Sequence, residues 1–531
     1  MNQNQPQSVS EKSKVTIAAG IVGAATFLSR IFGFIRDMVI ASVFGAGLSA
    51  DAFFVAFRIP NLLRRLFAEG SLSITFVPVF SEYLTNSGKN EAFKLARSAV
   101  RTLSALLILV AVAGVLLSPL IVRLIAPGFS ATPGKLALTV TLTRMMFPYI
   151  FFIGLVALFM GILNVLGHFA APALAPVCLN IAMIGSVFLI APFMSDPILG
   201  VAIGVIIGGI LQLLLQVPFL ISKGFIFWKR ASFYHPGLKK IGVLMLPTIL
   251  GAAVYQINIL IGTLLASLLP QGSVSYLYYA DRLVQFPLGI FAIAIATAIL
   301  PTLSRQAAAK DIDALRETFA YAIRLVLFIT IPAMIGLIVL REPIVALLFK
   351  RGAFDAETVR QTAVALLYYC IGLWAFSAVR VVVSTFYALQ DTRTPVRIAI
   401  IAIVANIALS IILMKPLAHG GLALATSLSS ILNLVLLIWV LRQRLGVPDW
   451  HPIMISAIKT VASSVIMGVG VYIMAYYTIS SSSPTVPFTH LLIGLSVSIV
   501  SGLILYAGLS LLMKSDELKT VTTIIKSKVH R

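Results

Sequence analysis

Residues 197–222 read PILGVAIGVIIGGILQLLLQVPFLIS, a run of 26 residues without a charged side chain. A helix of that length rises about 39 Å, which exceeds the ~30 Å hydrocarbon layer of a bilayer. Similar runs occur throughout the 531 residues, of which 59% are hydrophobic and 11% are charged. Soluble domains have about 45–50% apolar and about 25% charged residues. The sequence therefore predicts a polytopic membrane protein and excludes a water-soluble enzyme.

Fourteen apolar runs, separated by polar, proline or glycine breaks, each predict a transmembrane helix, so the expected fold is all-α. The polar segment 1–14 leads into the first run without a small-residue cleavage site, which predicts an uncleaved first helix rather than a signal peptide. The predicted spans are 17–45, 52–83, 98–126, 136–165, 170–192, 197–222, 240–268, 275–304, 322–348, 358–388, 396–414, 420–441, 453–477 and 488–513.

The distribution of charge predicts the orientation of these spans. The chain has 40 Lys and Arg against 18 Asp and Glu, a net charge of +22. Basic residues concentrate in alternate loops, such as 84–97, 223–239 and 305–321, and in the tail 514–531. Because cytoplasmic loops carry the excess of Lys and Arg, both termini are expected in the cytoplasm. Topology explains most of the charge, so no nucleic-acid partner is expected.

Metal and cofactor chemistry is not indicated. Cys178 and Cys370 each lie within an apolar run, and the six histidines lie in loops or at span ends without ligand spacing. No glycine-rich phosphate loop followed by Lys and Ser or Thr occurs. The sequence therefore predicts neither a metal site nor a bound cofactor.

An internal repeat divides the chain. Ala56-Phe57-Arg58 is matched by Ala280-Asp281-Arg282 at an offset of about 224 residues, and further weak matches follow in the same order. Each repeat holds six spans, so both halves enter the membrane from the same side. This predicts two six-helix lobes, 1–222 and 223–450, in a parallel pseudo-twofold arrangement typical of transporters. Outside the repeat lie an extra helix pair, 451–513, and the basic tail 514–531.

Several arginines lie inside predicted spans, where a charge is costly unless it faces a cavity or a partner. Against six arginines stand three nearby carboxylates, a surplus of 6 − 3 = +3. Guanidinium groups fit phosphate oxygens by bidentate hydrogen bonds, so the surplus predicts a central cavity that binds a phosphate or pyrophosphate. The arginines are Arg30, Arg36, Arg58, Arg64, Arg65 and Arg282, and the carboxylates are Asp37, Glu69 and Asp281.

Helix geometry refines this hypothesis. Arg58, Arg65 and Glu69 have the spacing of one helix face. Arg30 and Arg36 do not, but Gly33 between them would permit a bend that turns both inward. For any single arginine, snorkelling or a structural pair with a carboxylate such as Asp51 is an equal alternative.

Six motifs resemble the MviN-type lipid II flippases of bacteria: Phe27 to Asp37, Gly45 to Gly47, Asp51 to Phe57, Pro60 to Gly70, Tyr279 to Leu283 and Asp391 to Pro395. The resemblance covers essentially the whole chain. It implies the multidrug/oligosaccharidyl-lipid/polysaccharide exporter fold, with two six-helix lobes in a V and an extra helix pair whose groove receives a polyprenyl tail. The cavity residues that it implies are Arg30, Arg36, Asp37, Asp51, Arg64, Arg65, Glu69 and Arg282.

The favoured function is a flippase that moves lipid II, the undecaprenyl-pyrophosphate-linked disaccharide-pentapeptide, from the inner to the outer leaflet of the bacterial inner membrane by alternating access. The arginines would bind substrate, and Asp37, Asp51, Glu69 and Asp281 would pair charges or gate. The alternative is export of another polyprenyl-pyrophosphate-linked oligosaccharide. An intramembrane transferase is disfavoured because the chain lacks a plausible set of carboxylate or histidine catalysts at membrane depth. The expected protein is a monomer that contacts membrane lipids and the cell-wall synthesis machinery.

Overall fold

The computed structural model describes residues 5–65, 72–230, 232–446, 450–480 and 487–519. Within these ranges the chain forms α-helices joined by short turns and contains no β-strand, which confirms the all-α prediction. In the same ranges, nine helices are long and apolar enough to cross a membrane, and a pair bent by 41° makes a tenth. The chain is therefore a multi-span membrane protein.

The first compact unit comprises Met1–Gly272. Helix α7 packs against α1 and α8, and α2 packs against α5. Helix α9, which the sequence assigns to the second lobe, packs against α3 and α4 of this unit. The helices are α1 Gln5–Phe44, α2 Leu48–Arg64, α3 Leu72–Asn86, α4 Gly88–Ile125, α5 Lys135–Met146, α6 Tyr149–Val165, α7 Ala170–Leu189, α8 Pro197–Ser222 and α9 Pro236–Ser267.

The second compact unit comprises Ser273–Arg531. A π-helical turn, Leu288–Ala292, joins its first two helices. Its helices are α10 Ser273–Pro287, α11 Ile293–Ala308, α12 Ile312–Val339, α13 Arg341–Phe349, α14 Ala356–Ile371, α15 Leu373–Ala388, α16 Arg393–Leu445, α17 Trp450–Ala475 and α18 Phe488–Leu512.

Helix α16 contains 53 residues but is interrupted at Ala418, where φ is 48°. This left-handed conformation is unfavourable for a residue with a Cβ and marks a sharp change of direction. The backbone comes so close to itself here that a Cβ at Gly421 would overlap the carbonyl oxygen of Leu413. The predicted spans 396–414 and 420–441 lie on either side of this break.

The pair α17 and α18 is attached to the second unit through α12. The Tyr506 hydroxyl donates to the carbonyl oxygen of Phe328 at 2.7 Å. Gly468 lies against Ile335, and Gly502 lies against Val471, with no room for a larger side chain. Small residues of this kind let helices approach closely within a membrane, where apolar burial alone gives no preference for helix over lipid.

Polar side chains begin several of the helices. The Asp311 carboxylate accepts from the Ala314 amide at 3.0 Å at the start of α12, and Asp355 accepts from the Thr358 amide at 2.8 Å at the start of α14. These bonds satisfy amides that have no partner within the helix. Hydrogen bonds from Thr358 hold the pKa of Asp355 below its ordinary value, so this cap is ionised at neutral pH.

Candidate anion-binding site

Arg36 and Asp37 of α1 form a buried ion pair in the first unit. Arg36 is 8% exposed and Asp37 is 2% exposed. The Nε and Nη2 atoms of Arg36 donate to Asp37 Oδ1 at 3.0 and 2.6 Å. Bonds between two charged groups are stronger than bonds between neutral ones, and they offset the desolvation of both.

Asn180 of α7 holds this pair in place. Its Oδ1 accepts from Arg36 Nη1 at 3.0 Å, and its Nδ2 donates to the Ser29 carbonyl oxygen at 3.2 Å. Gly33 lies opposite the same amide, because a Cβ there would be 3.6 Å from Asn180 Nδ2. The amide thereby connects α7 to α1 and fixes the direction of the Arg36 guanidinium.

Arg30 has a different environment from Arg36. Helix α1 continues through Gly33, and the Arg30 side chain is exposed. Six residues of an α-helix turn through about 600°, which leaves the two arginines about 120° apart. The inward turn of both side chains about Gly33 stays a prediction.

Arg58 and Arg64 of α2 are half-buried and hydrogen-bond to neutral groups. Arg58 Nη1 donates to the hydroxyl of Thr263 on α9, and Thr263 is fully buried. Arg64 donates from Nε and Nη2 to Asn61 Oδ1 at 3.0 and 2.9 Å. These contacts orient the two guanidinium groups and leave their positive charge in place.

Two residues, Arg65 and Glu69, are expected to share a helix face with Arg58, and the structure describes the first of them. Arg65 is half-buried and follows the last residue of α2. Glu69 lies outside the described residues, so its pairing with Arg65 stays a prediction.

Asp51 takes part in a second buried ion pair, which the sequence analysis missed. Its Oδ2 accepts from Lys135 Nζ at 2.7 Å and from the Gly272 amide at 2.8 Å. Asp51 is 1% exposed and Lys135 is 3% exposed. The Lys135 ammonium also lies 4.1 Å from the centre of the Phe129 ring. This pair joins the start of α2, the start of α5 and the segment that follows α9.

Arg282 and Asp281 lie on α10 in the second unit. Arg282 Nη2 donates to the Tyr278 hydroxyl at 2.9 Å, and its guanidinium carbon is 4.8 Å from the centre of the same ring. Asp281 Oδ2 accepts from the Gln285 amide. The arginine therefore has a cation–π contact as well as a hydrogen bond, and both orient it.

Two neutral residues in these contacts were missed by sequence reasoning. Asn180 is an amide inside the predicted span 170–192, and Thr263 is a hydroxyl inside 240–268. A search of the first half for intramembrane amides would have identified Asn180, because polar groups in hydrocarbon need partners. Lys135 gave a weaker signal, because it immediately precedes the predicted span 136–165 and resembled an ordinary loop lysine.

The described side chains offer no metal site, since no three His, Cys, Asp or Glu residues among them converge. The binding of an anion by the arginines stays a prediction. Arg36, Arg58 and Arg64 are each oriented by hydrogen bonds that they donate to a neighbouring helix or to the preceding turn of their own helix. Groups positioned in advance bind an anion without a further loss of side-chain freedom.

Comparison with known proteins gives a consistent result. The profile of the family described as "Lipid II flippase MurJ" matches residues 40–495. A "Probable lipid II flippase MurJ" of Vibrio cholerae is 45% identical over 433 residues, which cover 80% of this chain and 82% of that protein. The "Lipid II flippase MurJ" of Burkholderia cenocepacia is 37% identical over 427 residues, which cover 80% and 83% of the two chains.

Solved structures show the same similarity. A lipid II flippase MurJ in an inward closed conformation aligns with a TM-score of 0.77 at 29% identity, covering 92% of this chain and 98% of that chain. An inward-facing multidrug transporter of the MATE family aligns with a TM-score of 0.66 at 16% identity, covering 81% of this chain and 98% of that chain. The second match indicates a shared fold alone.

Proposed function

This chain belongs to the lipid II flippase MurJ family, and from that membership we propose that it moves lipid II from the inner to the outer leaflet of the bacterial inner membrane. The substrate is the undecaprenyl-pyrophosphate-linked disaccharide-pentapeptide. The protein binds its pyrophosphate through arginine side chains and crosses between inward-open and outward-open states. No bond of the substrate is made or broken.

The orientation of the arginines supports the binding of pyrophosphate in this proposal. Arg36 is fixed by Asp37 and by Asn180 of a different helix. Arg58 bonds a hydroxyl and Arg64 an amide. A pyrophosphate presents several oxygens, each able to accept from the planar N–H groups of a guanidinium. Binding of the anion offsets the surplus of positive charge that the sequence places in these spans.

The six arginines and four carboxylates take different roles in this proposal. Arg30, Arg36, Arg58, Arg64, Arg65 and Arg282 bind the substrate. Asp37, Asp51, Glu69 and Asp281 pair with cations or gate, and Glu69 keeps the binding of pyrophosphate weak enough for release.

Fourteen crossings complete the proposal. Helix α16 supplies two of them, because 53 residues would extend about 80 Å unbroken, and the break at Ala418 lies near its middle. Residues 1–222 and 223–450 form the two six-span lobes, 451–513 form the groove for the polyprenyl tail, and 514–531 form a cytoplasmic tail. Both termini lie in the cytoplasm, as the basic loops favour.

The test uses cells depleted of their own flippase. We expect Arg30→Ala, Arg64→Ala and Arg282→Ala to insert in the membrane at normal levels and to fail to support growth. Arg123→Ala is the matched control, because Arg123 is an exposed arginine at the end of α4. Normal growth with all three variants, or equal failure of the control, would overturn the proposal.

A further inference from the structure

The connector between α8 and α9, residues 223–235, has an unusual composition. Its described part includes Lys223, Lys229, Arg230 and the aromatic residues Trp228 and Tyr234. The sequence of the whole connector contains no Asp or Glu. A cationic and aromatic segment that joins two predicted transmembrane spans, 197–222 and 240–268, is expected where membrane proteins meet lipid headgroups.

Two phenylalanines fix the connector to the first unit. Phe225 is 1% exposed and packs edge-on against Phe93 of α4, with ring centres 5.5 Å apart. Phe227 packs against Phe225 at 4.8 Å and against Phe159 of α6 at 5.5 Å. The chain enters this arrangement through Gly224, whose φ of 88° ends α8. The connector therefore has a defined inner face.

The outer face presents large aromatic side chains. Trp228 is 80% exposed, Phe233 is 53% exposed and Tyr234 is 73% exposed. Arg101 of α4 places its guanidinium 4.0 Å from the centre of the Phe233 ring, and Thr102 donates to the Phe233 carbonyl oxygen at 3.2 Å. In water such a cluster is unfavourable, whereas Trp and Tyr are enriched at the level of lipid headgroups.

The connector and the adjoining helix α4 also carry cations. Lys229 and Arg230 are exposed. Arg97 lies one helical turn before Arg101, hence on the same face of α4. Its Nε atom is buried without a hydrogen-bond partner among the described residues.

Two carboxylates near this surface are already paired with lysines. Glu82 is paired with Lys240 at 2.6 Å, and Glu91 is paired with Lys94 at 2.5 Å. Each of these acids is thus matched by its own lysine.

We propose that the connector, together with Arg97 and Arg101, is a binding surface for anionic phospholipid headgroups. Trp228, Phe233 and Tyr234 lie among the headgroups, and the cations bind their phosphates. In the proposed topology this is the cytoplasmic leaflet, which carries the anionic lipids that attract basic segments next to transmembrane helices. The surface goes beyond the transport function, since it recognises the surrounding membrane rather than the transported molecule.

The experiment measures lipid binding to the purified full-length protein by native mass spectrometry. The triple variant Arg101→Gln, Lys229→Gln, Arg230→Gln should bind phosphatidylglycerol at least about tenfold more weakly than wild type, because each cation near an anionic surface contributes a several-fold factor. The control is the triple variant Arg123→Gln, Arg144→Gln, Lys415→Gln, which removes three exposed cations elsewhere. It should bind like wild type, and equal losses in both variants would overturn the proposal.

Fluorescence of Trp228 provides the second measurement and needs no change of charge. In nanodiscs, brominated phosphatidylglycerol should quench the wild type more than brominated phosphatidylcholine does, and Trp228→Phe should abolish this difference. Equal quenching by both lipids would overturn the selectivity for anionic headgroups. No quenching of Trp228 by either lipid would overturn membrane contact and indicate an acidic protein partner instead. Binding of lipid II, measured on the same samples, tests the transport proposal separately.

Discussion

Asp37 and Asp51 are both buried carboxylates of the first unit, yet they are paired in different ways. Asp37 pairs with the adjacent Arg36 on the same helix. Asp51 pairs with Lys135, 84 residues further along the chain, and also accepts from the Gly272 amide. The first pair is local and is connected to α7 through Asn180, whereas the second joins three separate segments.

The two pairs have different roles: the Asp37 pair positions a charged group, and the Asp51 pair joins helices. Around Asp37, the hydrogen bonds direct a guanidinium, which is the group proposed to bind substrate. Around Asp51, the ammonium has a carboxylate and an aromatic face as neighbours, an arrangement that satisfies the charge within the protein. We therefore expect changes at Asp51 to act mainly on stability, and changes at Arg36 to act mainly on transport.

The largest effect is expected for Asp51→Asn. It leaves the Lys135 ammonium buried without its counter-charge, which costs about 3–5 kcal/mol of unfolding free energy. The double variant Asp51→Asn, Lys135→Met should recover most of this loss, because no charge remains buried. Thermal unfolding in detergent measures the stability of the single and the double variant. A single variant as stable as wild type would show that the pair does not hold the helices together.

The second-largest effect is expected for Arg36→Lys. An ammonium is a point charge and cannot bond Asp37 and Asn180 with the planar geometry of a guanidinium. We expect translocation of lipid II into the outer leaflet of proteoliposomes to fall at least about tenfold, with a smaller loss of stability than for Asp51→Asn, since the charge is kept. Unchanged translocation together with lowered stability would show that the Arg36–Asp37 pair is structural, like the Asp51–Lys135 pair.

A smaller effect is expected for Asn180→Ala, which removes the bonds to Arg36 and to the Ser29 carbonyl oxygen. The loss should be about 1–2 kcal/mol, since both bonds are buried. Affinity for lipid II should fall several-fold as Arg36 becomes less well oriented. The buried amide Asn406 of the second unit provides the control, Asn406→Ala. If both variants lost affinity equally, the effect would come from packing rather than from the position of Arg36.

The smallest effect is expected at a partly exposed ion pair. Asp391 Oδ2 and Arg444 Nη1 are 2.7 Å apart, and the side chains are 11% and 47% exposed. Arg444→Gln should change the unfolding free energy by at most about 1 kcal/mol, because Arg444 is 47% exposed and the pair is screened by solvent. A loss as large as that from Asp51→Asn would contradict the distinction between exposed and buried pairs.

Asp391 should also contribute a weak pH dependence. Burial acts to raise its pKa, but bonds from Thr394 and Arg393 and the charge of Arg444 outweigh this and hold the pKa below its ordinary value. A lowered pKa in the folded state stabilises the protein above the unfolded value of about 3.9. That contribution is lost as the pH falls through the folded pKa. Asp391→Asn should therefore reduce the fall in thermal stability on acidification.

The all-helical fold could be predicted from sequence because hydrophobic length is a property of single segments. The run 197–222 coincides with α8, and the division between 396–414 and 420–441 coincides with the break in α16. The pairing of Arg36 with Asp37 could be predicted from sequence because the two residues are adjacent. The pairing of Asp51 with Lys135 could not be predicted, since 84 residues separate them and only helix packing brings them together.

The assignment of α9 shows a similar limit. The repeat places it in the second lobe, and that lobe boundary stays a prediction. By packing, α9 contacts α3 and α4 and belongs to the first compact unit. Repeats in a sequence record shared origin, and helix packing depends on which apolar faces meet. Thr263 therefore lies close enough to hydrogen-bond Arg58, a contact that the repeat does not indicate.

The central claim is that oriented arginines bind the pyrophosphate of the substrate. The most direct measurement is the affinity of the purified protein for undecaprenyl pyrophosphate and for undecaprenol, which lacks phosphate, in wild type and in Arg64→Gln. We expect Arg64→Gln to weaken binding of the pyrophosphate by about 1.5–3 kcal/mol, as for the loss of a hydrogen bond to a charged group, and to leave undecaprenol unaffected. Arg123→Gln should change neither affinity. Equal affinity of wild type and Arg64→Gln for the pyrophosphate, or equal affinity of wild type for the two lipids, would contradict the claim.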